Sequence, residues 1–304
     1  MTASIRNKKR LNAVITIIVF ILALVLGEYL KDGAIYGIKL CAFNIIPTLF
    51  PFFVLADLCR ANLYVDKRSY LGRLFERIFK INASGFSAFL LGNICGFPLG
   101  IKTATKQYND GLLNQSDLNA LSVIANNPSP AFVILGVGKG MFSSSALGTI
   151  FYFSTMLSSI IIGIIFKPKS IVSVNTNDKI RQKFNLISSI KDAATSSILV
   201  SSYIIFFSSL VFALGKLIKN PIFLCLVASL FEVGSACNII VENRSSFGSF
   251  FPCFISFALG FSGISVFLQA FSFLPRCISK KHYLFKKLLQ GVISVIITAI
   301  LISI

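Results

Sequence analysis

Long apolar runs separated by short basic segments leave this chain few ways to fold. The first run, residues 11–30, is long enough as a helix to cross a hydrocarbon core about 30 Å thick, and similar runs recur as far as residues 288–304. Hydrophobic residues make up 55% of the chain and charged residues only 13%, outside the range of soluble domains. Since helices satisfy their own backbone hydrogen bonds in lipid, we predict an all-α polytopic membrane protein.

The basic residues indicate topology rather than nucleic-acid binding. The net charge is +18, but Lys and Arg fall in short segments between apolar runs and form no nucleic-acid recognition motif. Under the positive-inside rule, the segments before residue 11 and at 60–80, 167–191 and 276–287 belong on the cytoplasmic side. We therefore predict a multi-pass protein of the cell membrane with its amino terminus in the cytoplasm.

The chain divides into an N-terminal transmembrane helix (1–33), two gate repeats (34–166 and 186–304) and a cytoplasmic basic linker between them (167–185). The segments predicted in the first repeat are a span bent at Pro47 and Pro51, an amphipathic interfacial helix (60–82) with apolar side chains at Leu71, Leu74, Phe75, Ile78 and Phe79, a hairpin (85–108), a broken helix (116–142) and a span (146–166). The segments predicted in the second repeat are a span (192–215), a hairpin (220–243), a broken helix (247–274) and a span (288–304).

Two apolar segments are interrupted at their middle and cannot be simple spans. GNICGFPLGIK has glycines and Pro98 at its centre, and LFEVGSACN has Glu232. Each half is too short to cross, which predicts two re-entrant helical hairpins. Each hairpin is followed by a helix broken at Pro128 or at Gly263. Because an odd number of crossings separates corresponding points, we predict an inverted repeat.

Polar residues at the hairpins and helix breaks form the candidate substrate site. Pro128 and Pro130 free backbone carbonyls and leave the amino terminus of a half-helix near Ala131 with a partly positive dipole. Such groups are costly in a bilayer unless they have partners. The candidate substrate-binding residues are Gly96, Pro98, Gly100, Lys102, Asn126, Asn127, Ser129, Glu232, Asn238, Ser262, Ser265 and Gln269. Alternatively, several of them only bind backbone groups that the helix breaks leave unpaired.

Two charged candidates have alternative roles. Lys102 could pair with a carboxylate of an anionic substrate, or it could extend to the cytoplasmic surface beside Lys106. At membrane depth Glu232 must be protonated, paired or bound to a cation, which allows coupling to protons or sodium. A structural pair of Glu232 with Lys216 or Lys219 is the alternative.

No pattern typical of an enzyme or a metal centre occurs in the sequence. The seven cysteines form no CxxC pair, and the sole histidine, His282, has no cysteine or acidic partner nearby. The segment GVGKG at 136–140 lacks the strand and the GK[ST] sequence of a phosphate loop. We therefore predict no catalytic residue, no metal ligand and no bound cofactor.

The segments GFPLGIK, NDGLLNQSDLNAL, NNPSPAFVILGVGKGMF, LFEVG and LGFSGISVFLQ together resemble the sporulation integral membrane protein YlbJ (stage V sporulation protein V) family, from residue 34 onward. Members carry paired nucleoside-recognition or gate domains and are similar in organisation to concentrative nucleoside transporters. The resemblance implies that fold, and movement of dipicolinate out of the mother cell into the space around the forespore. Gly96, Phe97, Pro98 and Leu99 stand where nucleoside transporters have glutamine, threonine and glutamate, which makes a nucleoside the less favoured substrate.

The predicted function is a secondary membrane transporter that moves a small anionic solute by alternating access at a midplane site. The resemblance implies dipicolinate or a related carboxylate, carried during sporulation. A non-transporting membrane scaffold of a sporulation complex and a nucleoside transporter are the alternatives. The expected partners are the anionic substrate and the lipid bilayer, and the chain could form a homo-oligomer.

Overall fold

A computed structural model describes residues 2–62, 69–171 and 185–303 of the chain. Every regular element in these ranges is helical. The α-helices are α1 (Thr2–Val25), α2 (Gly27–Leu40), α3 (Ile46–Asn62), α4 (Tyr70–Phe79), α5 (Phe86–Ile94), α6 (Leu99–Asn109), α7 (Gln115–Ile124), α8 (Ser145–Ile165), α9 (Leu186–Leu217), α10 (Pro221–Phe231), α11 (Val233–Glu242), α12 (Phe251–Phe261), α13 (Gly263–Phe273) and α14 (Lys280–Ser303). Two π-helical segments, Cys41–Ile45 and Ala131–Met141, interrupt the series.

Among the described residues, four helical runs are long and apolar enough to cross a membrane. They are Ser145–Ile165, Leu186–Leu217, Gly248–Phe273 and Lys280–Ser303. A fifth crossing results if Gly27–Ile45 and Leu49–Leu58, which meet at 46°, count as one bent span. The prediction of an all-α membrane protein is confirmed at this level.

The predicted first span, 1–33, corresponds to α1 and the first turns of α2. α1 has 24 residues. The chain leaves α1 at Leu26, so the second helix begins at Gly27 rather than at residue 34. The predicted boundary between the first two spans therefore lies inside α2.

Two pairs of short helices occupy the predicted hairpins. α5 and α6 have 9 and 11 residues, and α10 and α11 have 11 and 10. At 1.5 Å per residue, such helices reach about 14–17 Å, roughly half of a hydrocarbon core. The ranges 85–108 and 220–243 coincide with these pairs, and their re-entrant position in a membrane stays a prediction.

Small residues hold the longer helices together. An added Cβ at Gly33 of α2 would lie 2.7 Å from the backbone oxygen of Ser208 on α9. One at Gly260 of α12 would lie 2.9 Å from the Cα of Gly291 on α14. Close backbone approach at small residues is the usual basis of helix association in membranes, where burial from water gives no driving force.

The predicted amphipathic helix 60–82 is shorter in the structure, where it corresponds to α4 (Tyr70–Phe79). α4 begins after Ser69, whose hydroxyl accepts from the Gly72 amide, and residues 63–68 lie outside the described residues. Phe75 and Phe79 are buried against the protein, whereas Leu71 is 52% exposed. Part of the apolar face of α4 thus packs in the protein core, and the interfacial position of the helix stays a prediction.

Candidate functional site

A cavity of about 480 Å³ lies between the tips of the two helical pairs. Gly96 from the α5–α6 turn and Glu232 from the α10–α11 turn both line it. Ser129, between α7 and the second π-helical segment, and Gln269 of α13 line it as well. The rest of the lining is mainly apolar and includes Asn44 of the first π-helical segment. A concave, mainly apolar volume of this size with few polar groups is typical of a small-molecule site.

Each hairpin tip packs against a break in the same half of the chain. Gly96 has a φ of +87°, and a Cβ added there would lie 2.7 Å from the Ser129 nitrogen. Gly263 has a φ of +79°, and a Cβ added there would lie 2.9 Å from the Phe231 oxygen. Glycine meets both requirements, the left-handed backbone and the close approach. These contacts bring elements distant in sequence to one cavity.

Glu232 is buried, with 2% of its surface exposed, and it caps α11 with its own carboxylate. Oε1 accepts a hydrogen bond from the Gly234 amide over 2.9 Å, and Oε2 accepts one from the Ser235 amide over 2.6 Å. A carboxylate at a helix amino terminus is stabilised by these charge-assisted bonds and by the helix dipole. The alternative of a pair with Lys216 or Lys219 is wrong, because the partners of Glu232 are backbone amides.

Gln269 lines the cavity and has an unpaired amide oxygen. Its Nε2 donates to the Ser265 hydroxyl over 3.2 Å, while Oε1 has no partner among the described residues although the side chain is 1% exposed. Ser262 and Ser265 are buried outside the cavity lining, and the Ser262 hydroxyl donates to the Leu259 oxygen over 2.9 Å. A buried amide oxygen without a partner is costly, so Gln269 is the lining residue most in need of a ligand.

Asn127 lies outside the cavity lining and is bonded to protein groups at both ends of its amide. Nδ2 donates to Asn93 Oδ1 over 2.9 Å and to Ser159 Oγ over 2.8 Å. Oδ1 accepts from Gln290 Nε2 over 2.7 Å. Nδ2 also donates to the backbone oxygen of Ile124 over 3.1 Å, so for Asn127 the structure favours the alternative in which the side chain binds backbone groups left unpaired by the helix break.

Backbone carbonyls at the first break also bind protein groups. The Ile124 oxygen accepts from Asn93 Nδ2 over 3.1 Å, and the Asn127 oxygen accepts from the Phe97 amide over 2.8 Å. The prediction that the carbonyls freed near Pro128 are open to a substrate is therefore wrong for these groups. The first hairpin, rather than a solute, satisfies them.

Lys102 and Lys106 tie α6 to its neighbours. The Lys102 ammonium donates to the Ser196 hydroxyl over 2.8 Å and lies outside the cavity lining. Lys106 forms ion pairs with Asp57 of α3 over 2.8 Å and with Asp192 of α9 over 2.9 Å. Both lysines therefore join the first hairpin to α9, one helical turn apart.

The residues that sequence reasoning missed lie on α14. Lys287 is 2% exposed and donates to the backbone oxygen of Asn126 over 3.0 Å and to Gln290 Oε1 over 2.9 Å. Asn126 lies outside the cavity lining, and its Nδ2 donates to the Tyr283 hydroxyl. The basic segment 276–287 is predicted to be cytoplasmic, but α14 begins within it, at Lys280, and Lys287 is buried in the protein. The available signal was a run of polar and small residues at helical spacing from 287 to 298.

The remaining candidates lie apart from the cavity. Pro98 and Gly100 follow the first tip outside the lining, and Asn238 donates to the exposed Glu242 carboxylate over 2.8 Å. The predicted residues that the structure brings together around the cavity are Gly96, Ser129, Glu232 and Gln269.

In the ranges that the structure describes, no three His, Cys, Asp or Glu side chains come together as a metal site would require. Comparisons of the chain with protein-family models, with curated proteins and with solved structures find no match. The resemblance to sporulation membrane proteins therefore stays a prediction.

Proposed function

We propose that this protein is a secondary transporter that carries a small anionic solute through the cavity between the hairpin tips. The observation that carries the proposal is the composition of that cavity, to which both hairpin turns, the first helix break and α13 contribute. Buried polar groups at interrupted helices are the usual construction of a midplane substrate site in transporters. The resemblance noted in the sequence adds the substrate class, dipicolinate or a related carboxylate.

The proposal includes an inverted repeat. The bent span α2–α3, the α5–α6 pair, the break before Ala131–Met141 and the span α8 correspond in order to α9, α10–α11, the break at Ser262 and α14. The short paired helices act as re-entrant hairpins, because neither half can cross a bilayer alone. The basic segments give the amino terminus a cytoplasmic location in a multi-pass arrangement, by resemblance in the mother-cell membrane around the forespore.

Because of the charge of its lining, the cavity can carry an anion only together with a neutralising cation. Its lining contains one acidic side chain, Glu232, and no basic side chain among the described residues. An anion beside an ionised carboxylate at membrane depth is strongly disfavoured. We therefore propose that a proton or a sodium ion neutralises Glu232 when the solute binds. The amides of Gln269 and Asn44, the Ser129 hydroxyl and the half-helix that starts at Ala131 supply neutral polar contacts.

The test is uptake into liposomes that contain the purified full chain, with radiolabelled dipicolinate, nucleosides and simple dicarboxylates offered separately. Uptake of a carboxylate should depend on a proton or sodium gradient, and Glu232→Gln should remove that dependence. Glu242→Gln is the matched control, because Glu242 belongs to the same helix but is exposed. Carboxylate uptake that keeps its gradient dependence in Glu232→Gln contradicts the role of Glu232, and no uptake of any solute contradicts transport.

An uncharged solute such as a nucleoside is a second candidate, favoured by the absence of a basic side chain from the described lining. The same assay separates the two, since a nucleoside needs no neutralised Glu232 to enter. A non-transporting scaffold is less favoured because a purely structural core has no use for a cavity of about 480 Å³ that is lined by buried polar side chains.

A further inference from the structure

Lys287 is a buried lysine whose hydrogen-bond partners are neutral oxygens. Its ammonium contacts the backbone oxygen of Asn126 at 3.0 Å and the amide oxygen of Gln290 at 2.9 Å. The side chain is 2% exposed, and none of the described carboxylates pairs with it. In proteins a buried charge without a counterion is costly and rarely kept without a function.

These oxygens are the kind that bind a hard metal cation. Backbone carbonyls released at a helix break and side-chain amide oxygens are typical ligands of sodium and calcium in proteins. A third oxygen, Asn126 Oδ1, is buried on the same residue and has no partner in the described part of the chain. The two oxygens that Lys287 contacts therefore have the ligand chemistry of a cation site, and the lysine amine lies between them.

The site also connects the two halves of the chain. Gln290 accepts from Lys287 through Oε1, and its Nε2 donates to Asn127 Oδ1 over 2.7 Å and to the Thr155 oxygen over 3.3 Å. The Lys287 nitrogen thus lies where α14 meets the first helix break, next to the contact of α14 with α8. A neutral side chain at 287 would leave the Asn126 carbonyl and the Gln290 amide without this donor.

We propose that Lys287 is a built-in cation, which permanently fills a monovalent-cation site at the first helix break. A cation that is covalently part of the protein cannot leave during a transport cycle. This consequence rests on the proposed transport function: any coupling ion then acts elsewhere, at Glu232, and the first break serves as a fixed joint. The occupancy itself does not depend on transport.

The test measures thermal stability of the purified full chain without any solute, in NaCl and in choline chloride at equal concentration. Lys287→Ala removes the ammonium and leaves its oxygens, so the variant should melt lower than wild type in choline. Sodium should then raise its melting temperature by about 5 °C or more at saturating concentration, beyond any rise in wild type. Methylammonium should act in the same direction, because it supplies the lost group.

Two further variants make the result decisive. Lys286→Ala is the matched control, because the Lys286 ammonium lies 5.4 Å from the centre of the Phe166 ring and not at the break, so it should show no extra sodium effect. Lys287→Met keeps the length of the side chain without the charge and should stay destabilised in both salts. Equal sodium effects in Lys287→Ala and wild type, or a Lys287→Met variant as stable as wild type, would overturn the proposal. Because no solute is present, neither outcome depends on whether the protein transports.

Discussion

Each of the two helix breaks follows a pair of short helices, but the surroundings of the two breaks differ. At the first break the amide of Asn127 and the neighbouring carbonyls are bonded to the α5–α6 pair, α8 and α14. At the second, Ser262 and Gly263 turn the chain in left-handed conformations, and the nearby Gln269 keeps an unpaired oxygen at the cavity. Most polar groups of the first break are thus bonded to the protein, with Asn126 Oδ1 as an exception among the described residues, whereas the unpaired oxygen near the second break belongs to a side chain that lines the cavity.

The two hairpin tips also differ, in the kind of group that each contributes. The first tip donates a backbone amide, from Phe97, to the opposing break. The second tip contributes a carboxylate, Glu232, that lines the cavity while it caps α11. The first tip therefore binds the adjacent break through its backbone, and the second brings an acidic side chain to the cavity. Hydrophobic patterning alone does not distinguish these roles.

The largest loss of stability should come from a substitution that adds a side-chain atom where α6 packs against the first break. Gly100→Ala places a Cβ 2.1 Å from the Ala125 oxygen, and the backbone on both sides is fixed by helix packing. We expect a loss of about 4 kcal/mol or more, seen as failure to recover folded protein by size-exclusion chromatography. Gly215→Ala is the control: its nearest neighbour would be 3.8 Å away, and alanine favours a helix. A well-folded Gly100→Ala protein would show that the first break is not rigid.

A smaller loss of stability should follow removal of the Asn127 side-chain amide. Asn127→Ala deletes hydrogen bonds to Asn93, Ser159 and Gln290 and leaves buried groups unpaired. We expect destabilisation of about 2–3 kcal/mol in denaturant-induced unfolding. Ser262→Ala at the second break removes one bond to a backbone oxygen and should cost less than about 1 kcal/mol. Equal losses at the two breaks would remove the contrast between them.

The smallest effect on stability, with a large effect on uptake, is expected at the cavity. Gln269→Leu removes an amide that has an unpaired oxygen, so the free energy of unfolding should change by less than about 1 kcal/mol. Uptake in liposomes should nevertheless fall, because the lining loses a polar contact.

The control is Gln107→Leu, which removes another buried amide. Gln107 binds the Ser84 oxygen and the Ser87 hydroxyl outside the cavity, each over 2.8 Å. This variant should lose stability and keep the wild-type concentration dependence of uptake. Unchanged uptake by Gln269→Leu would exclude Gln269 from the substrate site.

The fold class and the interrupted segments could be predicted because they depend on local composition. Apolar length predicts helices in lipid, and Pro128 and Gly263 mark points where a regular helix cannot continue. The direction in which Asn127 and Lys102 point could not be predicted, since each bonds to residues more than thirty positions away. The burial of Lys287 could not be predicted either, because basic residues next to an apolar run are usually cytoplasmic.

By itself, the sequence determined that this chain is helical, belongs in a membrane and breaks its helices at defined places, because hydrophobicity and backbone chemistry act over a few residues. Only the tertiary structure decided which polar groups are consumed inside the protein and which remain for a ligand. Asn127 and Gln269 are both amides in apolar helical surroundings, and neither composition nor spacing separates them. What separates them is the set of partners within hydrogen-bonding distance, and long-range packing alone supplies those partners.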